Sequence, residues 1–265
     1  MQNQWILTPF FLDAPEPRLR QLAEPGWQVN EVALPPPDAA SPASAAERQL
    51  ARMSAIHRPL AARVAEIAAQ GERPVSVAGD CCSVIAVLAG LQRAGVDPVL
   101  VWLDAHGDFN THDTTLSGFV GGMPLAMITG RGQQSLLRAA ALRPLPDEDV
   151  MLADARDLDA PERELLDRSG VLRFDEVRTL VDHLPDRPIY VHFDVDIIDA
   201  AEAPAMAYPV RGGPDPETLR VQLTRLRETR RLVGASMTPW AIDRDKDGRT
   251  AEACWSVLHA LVGPS

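Results

Sequence analysis

The sequence predicts an α/β fold in which a parallel sheet is wrapped by helices. Three observations carry that expectation. Short, near-continuous apolar runs alternate with helical patterns along the chain, and strands buried on both faces read in this way. Helix-capping signals stand between the runs. Polar clusters follow three of the apolar runs, where an open parallel sheet holds its ligands.

Taken in order, Trp5–Leu12 reads as a first strand, with Pro9 near its end. The Pro/Ala-rich stretch Leu34–Pro42 has no period and reads as a surface loop. Ser44 and Glu47 have the spacing of a capping box. They open a helical pattern through Leu50, Met53, Leu60, Val64 and Ile67, with Gly71 suited to its end. Pro59 should kink or split that helix. Pro74–Ala78 reads as a strand, and Ser83–Gln92 as the helix after it. Pro98–Leu103, Val150–Ala153 and Ile189–Phe193 are further buried strands. Asp215 and Pro216 look like an N-cap followed by proline at the first helical position, opening a helix through Leu219, Leu223 and Leu226. Arg231–Met237 is a last strand and Thr250 opens a last helix. No linker separates two cores, so residues 1–265 are expected to form a single domain.

Composition narrows the function. The 265 residues carry 26 basic and 37 acidic side chains, a net charge of −11, which disfavours a nucleic-acid or anionic-membrane partner. No run of eighteen apolar residues exists to span a membrane, and the N-terminus lacks the basic start and apolar stretch of a signal peptide. Three cysteines (Cys81, Cys82 and Cys254) are too few for a disulfide framework, so a reducing, cytoplasmic location is expected.

Chemistry concentrates behind the buried strands. Gly79-Asp80-Cys81-Cys82-Ser83 follows one, Asp104-Ala105-His106-Gly107-Asp108 another, and Asp194-Val195-Asp196 a third. Alternate residues of an extended segment point the same way, so Asp104, His106 and Asp108 can converge, as can Asp194 and Asp196. Four carboxylates so close repel one another unless cations neutralise them. Oxygen-rich sites with an imidazole suit Mn²⁺-type divalent ions, and two such ions can turn a shared water into hydroxide near neutral pH. A lone Asp-x-Asp would as readily be a helix cap or a loop acid. Two clusters behind two apolar strands are harder to explain in that way.

These clusters resemble the metal signatures of the arginase/agmatinase (ureohydrolase) family. The resemblance runs from about Pro74 to the C-terminus. Ala78-Gly79-Asp80-Cys81 is similar to the family's Gly-Gly-Asp-His, and Asn110–Gly118 to the arginase loop Asn-Thr-x-x-Thr-Thr-x-Ser-Gly. Gly122-Met123-Pro124, Arg156-Asp157-Leu158-Asp159 with Glu162, Pro204-Ala205, and Pro209 with Gly212-Gly213 follow in the family's order. The first seventy residues match poorly. The resemblance implies a three-layer α/β/α sandwich with a mostly parallel sheet, and two divalent metal ions of Mn²⁺ type. It implies a bridging hydroxide that attacks a guanidinium carbon. Asp104, Asp108 and Asp196 would be bridging or shared ligands, with His106 and Asp194 each on one metal. Asp108 would also hold the hydroxide and relay its proton. Asn110 and Ser117 would bind a substrate α-carboxylate, and Asp159 the α-amino group. Family members form trimers or hexamers, so the resemblance also implies a homo-oligomer.

Three departures bear on the chemistry. Cys81 replaces the first metal-binding His, as in hydroxyarginine amidinohydrolases, and Cys82 is a second choice of ligand if the turn shifts. A thiolate is a softer ligand than imidazole, and without metal Cys81 would be a small buried hydrophobe. Gly121 replaces the His that serves arginases as a proton shuttle, and His112 on the same loop is a candidate substitute. Ser236 replaces the Glu that grips the guanidinium, with Trp240 nearby either as a pocket wall or as core. Losing a buried charge pair costs about 3–5 kcal/mol, so a less basic group than arginine's fits better at Ser236.

The expected function is hydrolysis of a linear C–N bond in a small amino-acid-like substrate, with Nω-hydroxyarginine the nearest specific case. Two other classes remain open: a non-catalytic or regulatory relative, in line with Gly121 and Ser236, and a metal-dependent deacylase, whose His-His pair is absent. Asp243–Gly248 begins like a calcium loop, but Cys254 stands at its last ligand position. His57, His183, His192 and His259 fall within helix or strand patterns and read as packing or surface residues.

Overall fold

The computed structural model describes residues 1–34 and 44–263. The loop expected at Leu34–Pro42 therefore lies, apart from Leu34, outside the described residues. Among the described residues there are ten strands: β1 (Asn3–Thr8), β2 (Phe10–Phe11), β3 (Ala14–Pro15), β4 (Gln28–Val29), β5 (Arg73–Ala78), β6 (Val99–His106), β7 (Val150–Asp157), β8 (Leu172–Phe174), β9 (Ile189–Asp194) and β10 (Leu232–Thr238). The helices are α1 (Ala45–Ala69), α2 (Val84–Arg93), α3 (Pro124–Ile128), α4 (Ser135–Ala140), α5 (Ala160–Asp167), α6 (Val177–His183), α7 (Pro216–Thr229) and α8 (Arg249–Val262).

Eight strands form one sheet in the order β4-β1-β5-β10-β9-β6-β7-β8, and every pair in it is parallel. Side chains alternate across it with period two. Leu100 and Trp102 of β6 join the core under α1 to α5, while Val99, Val101 and Leu103 join the core under α6, α7 and α8. The result is a three-layer α/β/α sandwich. No helix among the described residues is long and apolar enough to cross a membrane.

Local rules explain most boundaries. The capping box forms: Glu47 N–H donates to Ser44 Oγ at 3.2 Å, and Ser44 N–H to the Glu47 carboxylate at 2.6 Å. Asp215 caps α7 by accepting from Thr218 N–H at 2.8 Å, with Pro216 at the first helical position. The helix α1 is not split at Pro59, contrary to the sequence expectation. Met53, Ile56, Leu60, Ala61 and Val64 are all buried against the core on either side of the proline, and tertiary packing holds the helix through the missing hydrogen bond. Gly90 lets α2 lie close to α1, because a Cβ there would sit 2.5 Å from Val64 Cβ. The first strand is also shorter than expected. It stops at Thr8, and after Pro9 the chain turns into a separate antiparallel β2–β3 pair.

The strand order contains a seam. The group β4-β1-β5 meets the group β9-β6-β7-β8 only through β10, which pairs with β5 at Ala235–Met237 and with β9 over most of its length.

Candidate metal centre

The carboxyl ends of β5, β6, β9 and β10 converge on one cavity of about 530 Å³. This is where a parallel sheet places its ligands. Each ligand-type side chain there is aimed by local structure. After β5, the Asp80 carboxylate accepts from Leu12 N–H at 2.7 Å and Cys82 N–H at 3.0 Å. That turn points Cys81 inward, 2.9 Å from Asp194 Oδ2 and 3.3 Å from Thr238 Oγ1. Cys82 is directed elsewhere, its Sγ toward Val120 O, so the alternative ligand is not in the cluster.

Beyond β6, Asp104 accepts from Trp102 Nε1–H at 3.0 Å and His106 N–H at 2.7 Å. His106 Nδ1 stands 3.1 Å from Asp196 Oδ2 and 3.4 Å from Asp104 Oδ1. Asp196 also accepts from Ala105 N–H at 3.2 Å, and Asp194 from Asp196 N–H at 3.1 Å. Asp108 occupies the left-handed region, with φ 47, and its buried Oδ2 has no hydrogen-bond partner. Among the described residues three overlapping sets of donor atoms, Cys81–Asp104–Asp108, Asp104–His106–Asp196 and Cys81–His192–Asp194, each lie within 4.8 Å.

The electrostatics follow from burial. Removal from water, with Asp104 close by, raises the Asp108 carboxyl well above its usual range. Burial and Asp196 do the same to Asp194. Burial and Asp104 raise Asp196 to about 6. Burial opposes the charged form of His106, but Asp104 and Asp196 overcome it and push the ring up to about 12. Burial, then the Asp194 charge, pushes the Cys81 thiol well up. Buried acids that raise one another in this way, with one carboxylate oxygen lacking a partner, are a donor set suited to cations. The residues present fit a pair of divalent ions.

The sequence profile of the arginase family matches residues 29–263. The chain belongs to the arginase family. Its members are metal-dependent hydrolases. Similar curated relatives are the N(omega)-hydroxy-L-arginine amidinohydrolase of Streptomyces lavendulae and the arginase of Bacillus caldovelox. The first is 30% identical over 201 residues, which cover 74% of this chain and 70% of the relative. The second is 28% identical over 232 residues, covering 82% and 77%. The solved B. caldovelox arginase superposes with a TM-score of 0.81 at 22% identity, covering 100% of this chain and 99% of that one. The agmatine ureohydrolase of Thermoplasma volcanium superposes with a TM-score of 0.67 at 17% identity, covering 98% and 88%. Both likenesses speak to the fold.

Among the substrate-binding candidates, Asn110, Ser117 and Asp159 line the cavity. Asn110 Oδ1 accepts from Thr114 Oγ1–H at 3.0 Å, and Asp159 is the N-cap residue of α5 with no side-chain cap bond. Ser236 is placed differently. It is buried beneath the floor, its Oγ 2.7 Å from Tyr190 Oη and 2.8 Å from His192 Nδ1, and it does not line the cavity. Trp240 is both buried and on the wall. His112 is exposed and off the wall. A Cβ at Gly121 would meet the Phe119 ring at 2.3 Å. The calcium-like segment spends Asp245 on the start of α8, accepting from Thr250 and Ala251 N–H at 3.2 and 2.8 Å.

Sequence reasoning assigned no site role to several residues around the cavity, although Glu162 and Arg156 belong to a motif it singled out. Glu162 accepts from Phe109 N–H at 2.8 Å, and burial raises its carboxyl to about 7. Phe11, Phe119 and Tyr208 form a string of ring contacts at the mouth, 6.3 and 5.9 Å between centroids. Phe11 sits in the two-residue strand β2 and the other two in irregular segments, and no period marks residues so placed. Arg156 pairs with Asp154 and donates to Asp196 O and Val210 O at 3.1 and 2.9 Å, fixing the loop behind Asp196.

Proposed function

We propose that this chain is a dinuclear-metal hydrolase. It would act on a linear C–N bond of a small, amino-acid-like guanidino compound, with Nω-hydroxyarginine as the specific case. The observation that supports this most is that Cys81, Asp104, His106, Asp108, Asp194 and Asp196 fall into overlapping donor sets, with one Asp108 oxygen left without a protein partner. Two divalent ions of Mn²⁺ type would supply Lewis acidity and lower the pKa of a bound water.

The protein's own part is to position and to exclude water. Asp104, Asp108, Asp194, Asp196, His106 and Cys81 would hold the ions. Asp108, with one oxygen unengaged, would take and pass a proton. Asn110 and Ser117 would receive the substrate carboxylate and Asp159 its amino group. A serine beneath the floor offers no charge to a guanidinium, so a hydroxyguanidine, which is less basic, suits this site better than arginine. The 30% identity to a hydroxyarginine amidinohydrolase agrees with that preference.

A panel of arginine, Nω-hydroxyarginine, agmatine and ureido analogues, run on Mn²⁺-reconstituted protein, tests the reading. Hydroxyarginine is expected to turn over fastest. Arginine well ahead of every analogue would overturn the substrate assignment. Metal bound without turnover of any of them would favour a non-catalytic relative, the reading that Gly121 supports by leaving the shuttle position without a side chain.

A further inference from the structure

His192 stands one residue pair below Asp194 on β9, on the same side of the strand as Tyr190. It is fully buried. Its Nδ1 is engaged by Ser236 Oγ at 2.8 Å, and Ser236 in turn by Tyr190 Oη at 2.7 Å. The Trp102 ring packs on it with centroids 4.3 Å apart. The other nitrogen, Nε2, is buried and has no partner. A ring nitrogen of His192, the Cys81 sulfur and an Asp194 carboxylate oxygen all lie within 4.8 Å of one another. Donor atoms about 2.0–2.3 Å from a common ion stand somewhat closer than that, within reach of a small side-chain adjustment.

We propose that His192 is a metal ligand, completing a Cys81–His192–Asp194 donor set that selects a borderline ion of the Zn²⁺, Co²⁺ or Fe²⁺ class. The inference rests on the reading that this centre binds metal, and it assigns the two ions different chemistry. Thiolate and imidazole together favour the later first-row ions, whereas the Asp104–His106–Asp196 group, with two carboxylates and one imidazole, accepts Mn²⁺. The Ser236–Tyr190 relay explains how the ring is oriented. With Nε2 on the ion, Nδ1–H donates to Ser236 Oγ, the outer hydrogen bond that a metal-bound histidine requires. It also gives Ser236 a role. A serine at that place supports an imidazole in the floor, away from the cavity wall.

The test uses metal-free full-length protein titrated with Co²⁺, then challenged with Zn²⁺ in the presence of a large excess of Mn²⁺, because Mn²⁺ binds a given site more weakly than the later first-row ions. The expected wild-type result has three parts. A thiolate-to-cobalt charge-transfer band appears in the near ultraviolet and is lost in Cys81→Ser. Two exchangeable, hyperfine-shifted imidazole N–H resonances appear, from His106 and His192. The mixture loads about one zinc and one manganese per chain, read by mass spectrometry. In His192→Gln one resonance disappears and affinity at the thiolate site falls by well over about 100-fold, beyond the 10–100-fold range for an outer-shell change. Ser236→Ala keeps the band and both ligands, with an affinity loss of about 10-fold. A single imidazole resonance in wild type, or two manganese ions taken up from the mixture, would overturn the inference and leave the dinuclear reading intact. No uptake of any divalent ion would sink both.

Discussion

At the scale of the residue, Asp108 concentrates the conflict between stability and function. It sits in a left-handed backbone conformation, buried among carboxylates, with one oxygen unpartnered. Asparagine tolerates that backbone and carries no charge. Asp108→Asn removes one acid from this crowded buried cluster and is therefore expected to stabilise the metal-free protein. It should also reduce metal content and abolish hydrolysis. Thermal melts in chelator beside metal analysis of the same variant check this, and a lower melting temperature would contradict it. The sequence showed which acids would meet, because alternation at a strand end is a short-range rule. It did not show that His192 belongs with them. Its position two residues before Asp194 contained the signal, but an isolated histidine in an apolar strand reads equally well as core.

At the scale of the element, α1 allows two independent checks. Pro59 faces solvent in the middle of a helix that stays whole. Proline in a helix interior costs up to about 3 kcal/mol, so Pro59→Ala is expected to raise stability by about 1–3 kcal/mol in denaturant titrations. His57, on the buried face, is held neutral: burial lowers its pKa from 6.5 to about 4. The unfolded chain binds a proton there between those values and the folded chain does not. His57 thus favours folding above pH 6.5, and that contribution fades as pH falls toward 4, by about 3 kcal/mol. His57→Gln should flatten the difference in stability between pH 7 and pH 4 relative to wild type. An unchanged slope would show that the ring is already protonated when folded. The capping box at Ser44 was legible because its partners are three residues apart. The unbroken course of α1 through Pro59 was not, because it depends on α2 and the sheet, which are distant in sequence.

At the scale of the whole molecule, the cluster of buried acids makes metal binding part of stability. A ligand present at 100 times its Kd adds about 2.7 kcal/mol, which for a chain of this size is roughly 5–10 °C in Tm. Divalent ions are expected to raise Tm by that order, and a chelator to reverse it. The gain should be larger at pH 7.5 than at pH 5. Burial and Asp104 hold the Asp196 carboxyl near 6, so in the metal-free fold it keeps its proton at pH 5, and that proton competes with the ion. Differential scanning fluorimetry at the two pH values reads this directly, and equal shifts would count against the cluster as the ion site. Parallel, layered architecture was legible from the alternation of apolar runs. The order of strands was not, since register between distant segments leaves no local trace.

That order has a consequence for how the site comes into being. The thiol of Cys81 stands on one side of the seam, and the carboxylates of Asp104, Asp108, Asp194 and Asp196 stand on the other. Among the described strands, β10 alone pairs with both groups, and it follows all the others in the sequence. Before it inserts, each half-sheet presents an open edge and holds only part of the ligand set. An ion held by Cys81 together with these carboxylates would rivet the two halves of the sheet to each other, so binding at the thiol is expected only once both halves are joined.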